Sequence, residues 1–274
     1  MKISFIGAGS IAEAMIEGLI AKNICNREDI FITNRSNKLK MTELKEKYGI
    51  CTTYDMNKLV RDVDIIIFAV KPKDATEALE RISPFISENS FLVSVMAGIS
   101  IEFITDKLKT TCAIARTMPN TSASVGKSAT AITFNPFVSN RQRVLALSIF
   151  SAIGITEEVE ESQMDAITAL SGSGPAYFYY FVEAMERAAE QFGLEKDTSN
   201  KLIIQTLLGA AEMLSASGKK AEELRREVTS PGGTTEAGLT VLQEAELQEV
   251  FIECIHAAAR QSKQLGMMYE SNIT

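Results

Sequence analysis

The sequence predicts an α/β domain followed by an all-α domain, and three observations carry that prediction. From Met1 to about Val159, short β-type runs alternate with helix-like segments, the pattern of a parallel sheet flanked by helices. Several of these runs, such as Ile65–Val70, are apolar throughout, which suits strands covered on both faces. From Glu161 onward the β-type runs stop, and long segments rich in Ala, Leu and Glu follow, punctuated by Gly, Ser and Pro. The boundary is placed near Glu160, giving domains at 1–160 and 161–274.

In chain order, Lys2–Gly7, Ile30–Asn34, Ile65–Val70, Phe91–Val95, Thr111–Arg116 and Ser128–Phe134 are the expected strands. Ala12–Lys22, Ser36–Tyr48, Asp74–Ile82 and Ile101–Lys107 are the helices expected between them. Asn140–Ser151 reads as a further helix, leading to a last short strand near Ile155–Val159. In the second half, Pro175–Phe192, Asp197–Ser215, Ala221–Glu227, Thr234–Glu244 and Leu247–Leu265 are the expected helices. Ala176–Val182 is apolar or aromatic nearly all round, unlike a solvated amphipathic helix. A helical half of about 115 residues has little interior volume of its own, so this segment is expected to pack against a second subunit.

Composition narrows the function classes. A formal net charge of −7 and the lack of any long Lys/Arg run argue against nucleic acid as a partner, which needs a basic footprint. An anionic ligand must then be held by local donors, since the global field does not attract it. Apolar runs such as Ile65–Val70 fall far short of the ~20 residues of a membrane helix, so no membrane partner is expected. The N-terminus opens directly on a strand pattern without a signal-peptide profile, and a cytoplasmic protein is expected. Cys25, Cys51, Cys112 and Cys254 are scattered without Cys-x-x-Cys spacing and His256 is the only histidine, so neither a metal site nor a disulfide framework is expected.

The strand Ile3-Ser4-Phe5-Ile6 runs into Gly7-Ala8-Gly9-Ser10-Ile11-Ala12, which opens a helix. That context gives the glycine fingerprint its meaning as a dinucleotide site. Gly7 permits the tight turn, Gly9 lets the backbone approach a pyrophosphate, and Ala12 allows close helix–strand packing, so the first domain is Rossmann-type. The second strand ends in Thr33-Asn34-Arg35-Ser36, without the carboxylate that bonds the ribose hydroxyls of NAD. Arg35 and Ser36 can instead receive a 2′-phosphate, which favours NADPH, with NADH as the alternative. Ala69-Val70-Lys71-Pro72 ends a strand on the ligand side of the sheet and should line the cofactor cleft; Lys71 faces either that cleft or solvent.

Five further strings, in order, resemble the motifs of pyrroline-5-carboxylate reductases: Ala69–Pro72, Ser94–Ile99 (which contains Ala97), Arg116–Thr121 (which contains Asn120), Ser171–Tyr177 and Val228–Leu239. The resemblance spans nearly the whole chain. It implies a helical C-terminal dimerisation domain, a homodimer with assembly into a higher oligomer left open, and NADPH-dependent reduction of Δ1-pyrroline-5-carboxylate to proline. It also implies that Ser230, Gly232, Gly233 and Thr234 hold the substrate, with the Thr235 hydroxyl near the imine nitrogen. Ser10 stands where the family often has Asn or Gln, and Glu236-Ala237-Gly238 replaces a stretch that sometimes contains histidine.

The residues themselves suit this chemistry. Gly232 and Gly233 are expected to present backbone N–H groups, and the helix opening at Thr234 adds its positive end. Hydride transfer needs no nucleophile or metal, only positioning. A hydroxyl of ordinary pKa is a poor general acid, so the substrate is expected to bind already protonated. Met118, Pro119 and Asn120 are expected around the nicotinamide, with Ser171–Pro175 approaching it. Two alternatives remain at this point. A β-hydroxyacid dehydrogenase would carry a lysine on the first long helix of its second domain, and Gly174–Tyr180 has none. A non-catalytic NADP-binding sensor would keep the fold without turnover.

Overall fold

The computed structural model describes residues 1–271. By internal contacts the chain forms two compact units, one made of Met1–Pro175 with the stretch from His256 onward, the other of Ala176–Ile255. This partition differs from the boundary near Glu160. Segment 161–175 packs on the sheet-bearing unit, and the end of the last helix returns to it.

The first unit contains β1 (Ile3–Ile6), α1 (Ser10–Ala21), β2 (Ile30–Thr33), α2 (Lys38–Tyr48), β3 (Cys51–Thr52), α3 (Met56–Val60), β4 (Ile65–Phe68), α4 (Ala75–Ile82), β5 (Phe91–Ser94), α5 (Ile101–Leu108), β6 (Ala113–Met118), β7 (Ser128–Phe134), α6 (Asn140–Ser151), β8 (Gly154–Glu158) and α7 (Met164–Ile167). The strands form one sheet in the order β3-β2-β1-β4-β5-β6-β7-β8. All neighbours are parallel except β6 and β7. That antiparallel pair departs from the expected parallel sheet because 119–127 is too short for a helical crossover. Thr111–Arg116 was expected where β6 runs from Ala113, and Ile155–Val159 where β8 runs from Gly154. β3 and α3, capped by Asp55, were not anticipated, since two and five residues are too few to show a period.

The period-2 alternation of the strands divides the interior into two cores. Ile3, Phe5, Ile65, Ile67, Phe91, Val93, Ala113 and Ala115 face one side, against Ala12, Met15, Ile16 and Leu19 of α1, Leu44 of α2, and Ile149 and Phe150 of α6. Ile6, Ile66, Phe68, Leu92 and Ile114 face the other, against Leu59 of α3, Leu79 and Ile82 of α4, and Phe103, Ile104 and Leu108 of α5. Central strands bury both faces, which is why they read as continuous apolar runs rather than alternating ones. At about 25 cal/mol per Å² of apolar surface removed from water, these two layers supply the main driving force of the fold.

A polar cluster joins α1 to α2 on the surface of the first core. Glu13 accepts from Lys40 Nζ at 2.7 Å, Lys47 Nζ at 3.0 Å and the Tyr48 hydroxyl at 3.1 Å. The bond from Lys40, reinforced by Lys47 and Tyr48 and opposed by partial burial, holds the Glu13 carboxyl down at about 2.

The second unit consists of α8 (Gly174–Gln191) from Ala176 on, α9 (Lys196–Ala216), α10 (Ala221–Glu227), α11 (Thr234–Glu244) and the start of α12 (Leu247–Ser271). Phe251 meets Tyr177 edge-on at 5.7 Å and Phe181 at 5.9 Å between ring centroids. Phe178, Tyr179 and Tyr180 on α8 are 60–68% exposed in the single chain, as are Leu202 and Leu208 on α9 to a similar degree. The aromatic segment is therefore not buried within one chain.

Because the Glu13 carboxyl is held below its unfolded value, its contribution is present above about pH 4.5 and is lost as pH falls toward about 2. Glu13→Gln should cost about 1–3 kcal/mol at pH 7 in urea denaturation. The difference between wild type and variant should shrink below pH 4.5; a pH-independent gap would mean the carboxylate charge is not what joins α1 to α2.

Candidate functional site

In an open parallel sheet, ligands bind beyond the carboxyl ends of the strands where the connections diverge. Here β1 lies between β2 and β4, and a cleft of about 380 Å³ opens past their ends. Ile6, Gly7, Ala8, Gly9, Thr33, Asn34, Arg35, Ala69, Val70 and Lys71 line it, so both glycines, the end of β2 and the end of β4 converge on one space.

Gly7 has φ +114°, and a Cβ there would lie 2.3 Å from the Ala69 carbonyl oxygen. Only glycine permits both the turn and the close approach of the β4 backbone. Gly9 is different: its φ of −84° suits any residue and nothing lies within 4 Å of a built Cβ. The space above Gly9 is open to a ligand. No side chain caps α1, so its first N–H groups face that space with the helix dipole behind them. Ser10 is exposed, Ile11 packs against the first core, and Ala12 is fully buried, which leaves no room for a larger side chain at the third fingerprint position.

The loop after β2 is built by Asn34. Its side chain donates to the Asn37 carbonyl at 2.7 Å and accepts from the Asn37 N–H at 2.9 Å and the Tyr54 hydroxyl at 3.1 Å. Asn37 in turn caps α2 by accepting from the Lys40 N–H. The fixed loop displays Arg35 into the cleft and leaves Ser36 exposed. Arg35 pairs with Glu77 at 2.9 Å and Asp74 at 3.6 Å. Lys73, Asp74, Glu77, Ala78 and Arg81 also line the cleft and were missed from the sequence. Part of the signal was present in the spacing, since Glu77 and Arg81 lie four residues apart and so share one face of α4, while Lys73 lies in the 3-10 turn that precedes it. Lys71 faces the cleft and is also exposed.

Pro72 and Ala97 line a second, smaller cavity of about 220 Å³ together with Gly98, Thr168, Ser173, Gln261, Ser262 and Tyr269. The α12 residues in it lie far along the chain from every motif, and no local pattern could have announced them. Gly98 has φ +73°, and a Cβ on Gly266 would fall 2.6 Å from the Gly98 carbonyl oxygen. Backbone therefore packs on backbone where α12 crosses the loop after β5. Beneath it, the buried Arg116 pairs with Glu161 at 3.1 Å and, more distantly, with Asp165 at 4.0 Å. Glu161 also accepts from the Ile101 N–H at 2.8 Å, and Asp165 from the Ser262 hydroxyl at 2.7 Å. Asn120 donates to the Ser171 carbonyl at 3.1 Å and accepts from the Ser122 N–H at 3.1 Å. Its amide thus ties the loop after β6 to segment 168–173.

In the helical unit, Ser230–Thr235 forms the turn between α10 and α11. The expectation that Gly232 and Gly233 present free N–H groups needs correction. The Gly232 N–H donates to the Glu236 carboxylate at 2.6 Å and the Gly233 N–H to the Ser230 carbonyl at 2.9 Å. Gly232 adopts φ +71°, and with that turn made, Glu236 in the first turn of α11 reaches back over the glycines as a capping-box glutamate does. Gly233, which precedes α11, offers no side-chain cap, so Thr234 and Thr235 open the helix at its positive end.

Comparison with known proteins decides the family. Residues 161–265 match the family described as pyrroline-5-carboxylate reductase dimerisation, and residues 2–98 the family described as NADP oxidoreductase, coenzyme F420-dependent. Pyrroline-5-carboxylate reductase 2 of Bacillus subtilis (strain 168) is 47% identical over 96% of this chain and 95% of its own length. The chain belongs to the pyrroline-5-carboxylate reductase family. Solved structures agree: a pyrroline-5-carboxylate reductase from Coxiella burnetii superposes with a TM-score of 0.88 at 40% identity, covering 96% of this chain and 98% of that one. The Plasmodium falciparum pyrroline carboxylate reductase with NADP bound gives 0.88 at 31% identity, covering 97% and 98%. The fold expected from the family motifs, an α/β Rossmann-type half and a helical half, is the one observed.

The two fingerprint glycines should behave differently on substitution. Gly7→Ala should lose about 2–4 kcal/mol in urea denaturation, because a positive φ and a backbone overlap are both violated. Gly9→Ala should stay within about 0.5 kcal/mol of wild type; equal losses at both positions would contradict the geometry of the turn.

Proposed function

We propose that this chain catalyses NADPH-dependent reduction of Δ1-pyrroline-5-carboxylate to L-proline, as a homodimer in the cytoplasm. Family membership over nearly the full chain, with the Ser230–Thr235 string intact, is the observation that carries the reading. The cleft residues fit the cofactor. An uncapped α1 over the bare Gly9 suits a pyrophosphate, and Arg35, Lys71, Lys73 and Arg81, beside Asp74 and Glu77, would give a phosphate-bearing ribose a net positive surrounding. A chain ending β2 in Asn34-Arg35-Ser36 offers a 2′-phosphate donors, where a carboxylate would repel it.

NADPH supplies the hydride that reduces the C=N bond. The protein's own part is to bind, orient and shield. Val70, Lys71 and Pro72 follow β4, Ala97 follows β5 and Asn120 follows β6, and these segments would hold the nicotinamide end. The Asn120 amide, engaged with Ser171 and Ser122, acts by holding its own segment rigid. On the substrate side, Ser230, Thr234 and Thr235 grip the carboxylate and imine through hydroxyls and the start of α11. Gly232 and Gly233 contribute the turn, and Glu236 must release the Gly232 N–H before that donor can serve the substrate. Thr235 is the hydrogen-bonding partner of the imine nitrogen. Since threonine does not ionise near neutrality, the proton travels with the substrate as its iminium form.

Incubating the protein with Δ1-pyrroline-5-carboxylate should oxidise NADPH with proline as product, faster than NADH. Thr235→Ala should lower kcat by about 10- to 100-fold, the worth of one hydrogen bond to a charged group. Unchanged kcat would remove the role given to Thr235, and absence of turnover with either cofactor would remove the reading as a whole.

The exposed aromatic residues of α8 and apolar residues of α9 suit a second copy, since so many large apolar side chains left open on two helices mark an interaction site. Sedimentation should give a dimer at micromolar concentration, and Tyr180→Glu should shift it toward monomer. A monomeric wild type would overturn this part of the reading.

A further inference from the structure

We propose that Glu77 and Asp74 restrain the protein's preference for a 2′-phosphorylated cofactor, by holding Arg35 in an ion pair that the phosphate must displace. The inference rests on the reading of the cleft as a dinucleotide site and adds to it the two groups that tune selectivity. Asn34 holds the loop from which Arg35 reaches the carboxylates at the start of α4. There its guanidinium meets Glu77 at 2.9 Å and Asp74 at 3.6 Å, and all three side chains line the same cleft.

A guanidinium presents its donors in a planar fork that matches either a carboxylate or a phosphate, so the two compete for one group. Placing a 2′-phosphate on Arg35 requires the Glu77 and Asp74 oxygens to give up those donors. It also leaves two carboxylates within a few ångströms of a group carrying nearly two negative charges. An unphosphorylated ribose meets neither cost. Its hydroxyls can donate to the same carboxylates, in the way an acidic residue at this end of the sheet serves NAD. Arg35 thus pulls toward the phosphorylated cofactor while Glu77 and Asp74 pull away from it. Arg35 and Glu77 are both more than half exposed, so solvent screens the contest and each carboxylate is worth a several-fold effect, not orders of magnitude.

The test uses fragments that isolate the phosphate and require no turnover. Calorimetric affinities for 2′,5′-ADP and 5′-AMP would be measured at low and high salt on wild type, Glu77→Gln, Asp74→Asn, Arg35→Met and Arg35→Met/Glu77→Gln, with melting curves to confirm folding. Glu77→Gln should raise the ratio of 2′,5′-ADP to 5′-AMP affinity about 3- to 10-fold, more at low salt than at high. Asp74→Asn should raise it less, its contact being longer. In the Arg35→Met background the part of the Glu77→Gln effect that comes from competition for the guanidinium should vanish, leaving only the salt-sensitive direct repulsion of the phosphate; an effect undiminished at high salt would overturn the competition. An unchanged or lowered ratio in both single carboxylate variants would overturn the proposal. A wild type that binds neither fragment would instead overturn the dinucleotide reading of the cleft.

Discussion

The backbone contact between the end of β1 and the end of β4 is the constraint on which the rest of the first unit depends. At Gly7 the chain must turn with positive φ while the Ala69 carbonyl stands where any side chain would begin. Satisfying both conditions brings α1 directly over the sheet, where Ala12, Met15, Ile16 and Leu19 complete the first core. It also aims the uncapped start of α1 into the cleft. Packing and binding are therefore consequences of one turn. A larger residue at Ala12 would lift the helix and, with it, the N–H groups that a phosphate needs.

Legibility from the sequence followed the range of each interaction. Strands buried on both faces announced themselves as apolar runs, and the glycine fingerprint as a local string. Where two residues sufficed for an element, as in β3, or where a turn fixed the strand direction, as between β6 and β7, no period existed to be read. The face that α4 turns to the cleft was encoded in the spacing of Glu77 and Arg81 but has meaning only once the loop after β2 brings Arg35 beside it. The contribution of α12 could not be read at all. Its Gly266 has significance solely because Gly98, far away in sequence, presses its carbonyl against that point of the helix.

Electrostatics show the same hierarchy. A chain with net charge −7 builds a locally cationic cleft by gathering Arg35, Lys71, Lys73 and Arg81 against Asp74 and Glu77 beyond the carboxyl ends of β1, β2 and β4. The acidic surplus elsewhere is partly structural: Glu161 and Asp165 neutralise the buried Arg116 and tie it to the start of α5 and to Ser262 of α12. Burying a guanidinium is tolerable only with such partners. This network holds the strand that leads to Met118, Pro119 and Asn120, so this part of the acidic surplus serves the fold and not the cleft.

The turn at Ser230–Gly233 raises a question of anion economy that the family motif alone conceals. Glycines suggest open N–H donors, yet here Glu236 places a carboxylate on Gly232. A bound substrate carboxylate and Glu236 cannot both occupy that donor, and two carboxylates close together repel. On the proposed reading, binding therefore exchanges one carboxylate for another instead of filling an empty cradle, which moderates affinity. The displaced Glu236 charge then remains near a substrate whose imine nitrogen must be protonated to accept hydride. A nearby anion favours the iminium over the imine, so a residue that weakens the grip on the carboxylate can at the same time favour the reactive form. That coupling would let a site without histidine, and with only a threonine at the nitrogen, work on substrate protonated in solution.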